Sequence, residues 1–141
     1  MTLKMSTQER EAFLAGVHVG VVGISNEGRG PLTVPVWYWY ERGGDIWFET
    51  QPLSRKGKLL HLGKRISLCV QDESPPYAYV SVEGPIIEIA EDDREQHEIP
   101  MAIRYLGEQE GPAYISSLPP SEWKRYIMRP ERWLTLDGSK E

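Results

Sequence analysis

Residues 48–70 read "FETQPLSRKGKLLHLGKRISLCV", and the order of signals within them decides the fold. The opening "FET" completes "DIWFET", an alternating run that reads as a strand. Ser54 is a favourable helix N-cap, and "RKGKLLHLG" predicts a short helix stopped by Gly63. In "RISLCVQD" the alternation returns, with Ile66, Leu68 and Val70 on one face. The helix between these strands has an unusual charge, because Arg55, Lys56 and Lys58 fill its first turn. Unpaired N–H groups and aligned peptide dipoles make that end partly positive, so each cation there is disfavoured by about a few tenths of a kcal/mol.

The chain around it is acidic. Its 141 residues carry 16 Lys and Arg against 21 Asp and Glu, a net charge of −5. Residues 50–71 contain no carboxylate yet hold Arg55, Lys56, Lys58, Lys64 and Arg65, and without those five cations the remainder would stand at −10. Charge confined in this way argues against a general nucleic-acid surface and for one anion held at one place. The length suits a single domain over residues 1–141, able to bury about two thirds of its unfolded surface. Cys69 is the sole cysteine, so no internal disulfide forms, and "MTLKMSTQER" offers no apolar run for a signal peptide or membrane span. The expectation is a cytoplasmic protein with no membrane partner.

Outward from the opening stretch, "STQEREAFLAG" has a capping-box pattern, Ser6 followed by Glu9, with Gly16 at the far end, and predicts a short helix. "VHVGVVGIS" alternates, "NEGRGP" turns, and "LTVPVWYWYE", "RGGD" and "DIWFET" together predict a hairpin. "ESPP" interrupts the strands before "YAYVSVEGPIIEIA". "EDDREQHEIPMAIRYLG" opens on acidic residues and places Ile99, Ala102, Ile103 and Leu106 at helical spacing up to Gly107, with Pro100 dividing it into two helical pieces. After a helical or irregular patch at "GPAYISSLPPSEW", the segments "KRYIMRP" and "RWLTLD" alternate again. Many short antiparallel strands with a few short helices predict a mainly β (α+β) fold, a small barrel.

One strand is apolar on both faces. In "LTVPVWYWY", Val34, Val36, Tyr38 and Tyr40 alternate with Thr33, Pro35, Trp37 and Trp39, whereas a strand facing water is polar on one side. One face fills the barrel. The other needs a cover, and Trp47 adds to that demand: a second subunit, a flat apolar ligand, or the chain's own C-terminal helix.

The opening stretch, with "PLTVPVWYWY" upstream and "YAYVSVEGPIIEI" downstream, resembles the signature of the pyridoxamine-phosphate-oxidase-like, flavin-binding split β-barrel proteins. In that family a strand ending in Thr is followed by a loop and then Ser-Arg-Lys, here Thr50 and Ser54-Arg55-Lys56. The resemblance implies that Arg55 and Lys56 bind the cofactor phosphate, with Thr50 and Ser54 helping from hydroxyls and backbone. It implies that the backbone of Val34, Pro35, Val36 and Trp37 borders the isoalloxazine ring. Glu49 occupies a position that is commonly aromatic, so only its backbone is expected to take part, and Tyr79 stands where the true oxidases usually have Gln. The charge of the short helix then has a reason: cations beside a helix N-terminus become favourable once a phosphate dianion sits between them.

The pyridoxamine-phosphate oxidases end on an Arg- and His-bearing segment that "YIMRPERWLTLDGSKE" lacks, so vitamin B6 oxidation is not expected. "PVWYWY", "DESPPYAYVSVEG" and "AIRYLGEQEGPAYI" look more like the branch that uses the deazaflavin coenzyme F420, and FMN-binding members share the phosphate motif. The resemblance thus implies an oxidoreductase passing a hydride between F420 or FMN and a small conjugated or aromatic substrate, in a homodimer with the cofactor at the subunit interface. The alternatives are a non-catalytic F420- or FMN-binding or storage protein, and a haem-handling member of the same barrel class for which His61 is the one histidine near the motif. His18, His61 and His97 have no metal-ligand spacing, "EDDREQHE" reads as a helix start, and no metal is expected. Cys69 reads as a strand filler. No Gly-rich phosphate loop or serine elbow is present, and no catalytic acid or base is assigned.

Overall fold

The computed structural model describes residues 2–120 and 122–141. Its strands are β1 (Gly20–Ile24), β2 (Leu32–Val36), β3 (Trp39–Tyr40), β4 (Ile46–Thr50), β5 (Arg65–Asp72), β6 (Ala78–Glu91), β7 (Lys124–Met128) and β8 (Arg132–Asp137). They run antiparallel in the order β2-β1-β5-β6-β7-β4-β3, with β8 on β6. The sheet curls into a half-barrel, the split β-barrel architecture. Strand β6 joins its two parts. The first half of β6 lies between β5 and β8, and the second half pairs with β7 on both sides of a bulge between Ile86 and Glu88. At Gly84 the β7–β8 connection crosses over β6: the N–H groups of Arg129 and Glu131 donate to Pro85 O and Glu83 O at 3.1 and 2.9 Å. A Cβ on Gly84 would collide with the Arg129 carbonyl, so the crossing requires glycine.

Alternation places Ile66, Leu68 and Val70 in the core beside Val22, Ile24, Phe48, Val80, Val82 and Ile86. Helix α1 (Thr7–Ala15) carries the expected capping box: Ser6 Oγ accepts from the Glu9 N–H at 3.1 Å, and Glu9 Oε1 accepts from the Ser6 N–H at 2.7 Å. Its Leu14 is fully buried.

Three expectations are corrected. The aromatic strand breaks after Val36, so β2 pairs with β1 and the hairpin with β4 keeps only Trp39↔Trp47 and Tyr40↔Ile46. Side chains take over the broken ladder: the Tyr38 hydroxyl donates to Leu14 O at 2.6 Å, and the Tyr38 N–H donates to Tyr105 Oη at 3.1 Å. Helix α2 (Arg55–Leu59) ends four residues before Gly63, because Leu60 turns out of it into extended backbone and is buried. Gly63, at φ 84°, instead shapes the turn into β5. Around Pro100 the two expected helical pieces do meet: a wide π turn at Arg94–Glu98 is followed by α3 (Ile99–Leu106), with Pro100 in its first turn. Cys69 is exposed, not a filler.

Helix α4 (Glu110–Ser117) packs on α3, and this pair covers much of the second aromatic face. Trp37 stacks on Tyr105 at 4.9 Å and meets Tyr114 at 6.0 Å, while Trp39 stacks on Trp47 at 5.8 Å beneath Arg104. Arg104 donates to the carbonyls of Ala15 and Gly16, and the Tyr105 hydroxyl to His18 O, tying α3 to the α1–β1 loop. Elsewhere the outer face stays open. The strand register aligns Pro35, Val21, Cys69, Ser81 and Leu134 in one transverse row, with Val21 41% and Leu134 64% exposed. No helix among the described residues is long and apolar enough to cross a membrane.

Candidate functional site

The end of β4 and the start of α2 are fastened by hydroxyls. Ser54 Oγ accepts from the Gly57 N–H at 3.0 Å, donates to Gln51 O at 2.7 Å, and lies 3.3 Å from the Oγ1 of buried Thr50. With those three partners the Ser54 side chain is occupied as the helix cap. Helix α2 lies flat on the preceding loop because a Cβ at Gly57 would meet the Gln51 and Pro52 carbonyls. This close approach presents Arg55 and Lys56 at a cavity mouth. Among the described residues neither is ion-paired. The other basic residues of the run behave differently: Lys58 is exposed, and Arg65 is paired with Glu83 and Glu131 at 3.3 and 2.7 Å.

Two adjoining cavities meet here. One, of about 370 Å³, is lined by Pro35, Val36, Trp37 and Lys56 together with Val19, Glu98, Tyr114 and Ile115. The other, of about 400 Å³, is lined by Val34, Thr50, Ser54, Arg55 and Lys56 with Leu32 and Gln51. Both also include Glu49 and Trp123. All eight residues singled out in the sequence therefore line this space. His18 stacks on Phe13, His61 is exposed, and His97 meets Trp47 edge-on; none lines either cavity.

The sequence did not single out Trp123, Tyr114, Ile115 or Glu98, which reach the cavities from the second half of the chain. It also assigned Glu49 through its backbone alone, whereas the Glu49 side chain is drawn into a carboxylate cluster. Oxygens of Glu49, Asp92 and Glu98 all lie within 4.8 Å of one another. Burial, then Asp92 and Glu98, push the Glu49 carboxyl far above the ordinary carboxylate range, against a smaller pull from Arg125. Burial and Asp92 raise Glu98 too, opposed by Arg94 at 3.9 Å. Burial lowers the Lys56 ammonium below the ordinary lysine range, a cost that an anion in the cavity would offset.

Residues 6–134 match the family model described as pyridoxamine 5'-phosphate oxidase, and the chain belongs to that family. Solved structures of the same fold surround it. An F420 reductase shares 19% identity over 88% of this chain and 94% of its own, with a TM-score of 0.71. A conserved hypothetical protein from Mycobacterium tuberculosis shares 23% over 98% and 88%, with a TM-score of 0.76. An FAD and heme binding protein from Mycobacterium smegmatis shares 14% over 94% and 71%, with a TM-score of 0.65. No curated protein matches the sequence.

Proposed function

We propose that this chain is an oxidoreductase that uses coenzyme F420, or FMN, to exchange a hydride with a small conjugated or aromatic substrate. The observation that carries the reading is the pairing of free cations with aromatic walls: Arg55 and Lys56, without carboxylate partners among the described residues, open onto the same space as Trp37, Tyr114 and Trp123. Such a site fits the group. Phosphate is met by two cations and the N–H groups of α2, and a flat ring system by apolar and aromatic surface, in a volume usual for small-molecule sites. A bound deazaflavin or flavin supplies the hydride chemistry. The chain's own residues do the rest: Arg55 and Lys56 hold the phosphate, Val34, Pro35, Val36 and Trp37 border the ring, and Trp37 and Trp123 exclude water. The segments 35–40, 72–84 and 102–115, which resemble the F420-using branch, are the reason the deazaflavin is preferred to FMN in this proposal.

The working unit in this proposal is a homodimer. Pro35 lines the first cavity and also begins the open row through Val21, Cys69 and Leu134, so a second copy seated on that row would border the cofactor space. Sedimentation of a stable monomer at micromolar concentration would exclude it. The functional test is purification from a host that makes both cofactors, followed by absorbance and mass of what co-purifies. Reduced cofactor is then mixed with simple enones or quinones. Its consumption supports an oxidoreductase; tight binding without consumption means a carrier, and a haem absorbance band in place of either cofactor overturns the reading.

A further inference from the structure

We propose that Glu49, Asp92 and Glu98 hold an oxygen-seeking divalent cation in the wall of the first cavity. The inference concerns a separate ligand and does not depend on which organic cofactor binds. Three segments deliver these carboxylates: β4 gives Glu49, the residues just after β6 give Asp92, and the π turn gives Glu98. The Asp92 side chain is 1% exposed, neither of its oxygens accepts a hydrogen bond, and Glu49 Oε2 is buried without a partner as well.

The neighbouring donors are engaged elsewhere. Arg94 donates to the carbonyls of Leu118 and Pro119, at 3.3 and 3.1 Å, and comes only to 3.9 Å of Glu98. Arg125 lies over Trp47 and donates through Nε to Glu91 O at 3.1 Å. His97 Nδ1 is 3.5 Å from Asp92 Oδ1, but it accepts the Asp93 N–H at 3.0 Å and so has no proton to offer. The adjacent acidic residues have ordinary roles, since Asp93 caps the π turn through the Gln96 N–H.

Buried carboxylates without donors require a counter-charge. One proton shared between Glu49 and Asp92 leaves Glu98 with only Arg94, at 3.9 Å, as a counter-charge. A hard divalent cation at about 2.3–2.6 Å from each ligand serves all three, and the separations within 4.8 Å fit oxygens arranged around such an ion. Glu49 and Glu98 line the first cavity, which gives the ion an entry path and room for water ligands.

The test uses the full chain, stripped with chelator and titrated with Mn²⁺ and Ca²⁺. Loss of the free Mn²⁺ resonance reports binding, calorimetry gives the Ca²⁺ stoichiometry, and thermal melts report stabilisation. The expected result is one ion per chain and a rise in melting temperature, with affinity at least about tenfold weaker in both Glu49→Gln and Asp92→Asn. Both substitutions keep side-chain size and remove repulsion, and Glu98→Gln provides a third variant should either fail to fold. Absence of saturable uptake by the wild type up to about 1 mM overturns the site. So does undiminished binding in the variants. A wild type that binds no ion while Asp92→Asn melts higher would assign the cluster to a shared proton instead.

Discussion

The cavities have two charged walls, assembled in opposite ways. On one side, Arg55 and Lys56 are sequence neighbours at the start of a five-residue helix, beside each other at an open mouth. On the other, Glu49, Asp92 and Glu98 converge from separate segments and are largely withdrawn from water. Like charges cost little where water screens them and a great deal where it does not. The basic wall can therefore stand empty at a smaller cost, one confined to the half-buried Lys56. The acidic wall needs a proton or an ion at all times.

Replacing both Arg55 and Lys56 by Ala has the largest expected effect. Two charge-assisted contacts, together worth roughly 3–6 kcal/mol, leave the phosphate, so cofactor affinity falls by about two to four decades. The melting temperature without cofactor stays unchanged or rises slightly. Fluorescence titration beside thermal melts measures both, and a large loss of stability would mean that the pair holds the fold. Gly57→Ala comes next. Its methyl group meets the Gln51 and Pro52 carbonyls, so α2 must lift, at a cost of about 1–3 kcal/mol in denaturant unfolding. Unchanged stability would show that α2 is not seated by that contact.

The acidic wall is probed by pH in chelator-treated protein. Glu49 keeps its proton in the fold to higher pH than in the unfolded chain, where it ionises near 4.5. Folding therefore binds a proton in that interval, and stability falls as pH rises through it. Glu49→Gln flattens the fall and stabilises the metal-free chain at pH 8 by on the order of 1–2 kcal/mol. A parallel pH profile in wild type and variant would place the titrating group elsewhere. The smallest effect belongs to Lys58→Ala, with stability and cofactor affinity both within about 0.5 kcal/mol of wild type, because Lys58 faces solvent.

The same contrast explains what could be read from the sequence. The capping box at Ser6 and Glu9, the inward faces of β5, and the Thr50 to Lys56 run are encoded within one or two turns of chain, where periodicity and capping act. The position of Trp123, and the inward turn of Asp92 and Glu98, depend on where β6 ends and how α3 and α4 fold back, which no local signal carries. The break at Trp37 and Tyr38 was hidden because uninterrupted alternation reads as one strand. At the break the Tyr38 N–H donates to the Tyr105 hydroxyl, 67 residues away, and not to a neighbouring strand. Cys69 was misread because a small apolar residue on an alternating strand fits either face, and only the pairing with exposed Val21 shows which.

The shared strand β6 also orders events during synthesis. As residues 78–91 emerge, the first half of β6 can pair at once with β5, its neighbour in sequence. Its remaining pairing positions face β7 and β8, which lie at residues 124–137 and arrive only after both helices α3 and α4. Until then β6 is a long, apolar, half-paired edge, the feature most prone to capture by another chain. Chain-to-chain capture during translation should therefore concentrate in the interval between β6 and β7. Ribosome-bound chains halted before residue 124 would show it as aggregation that chains extended past residue 137 do not share.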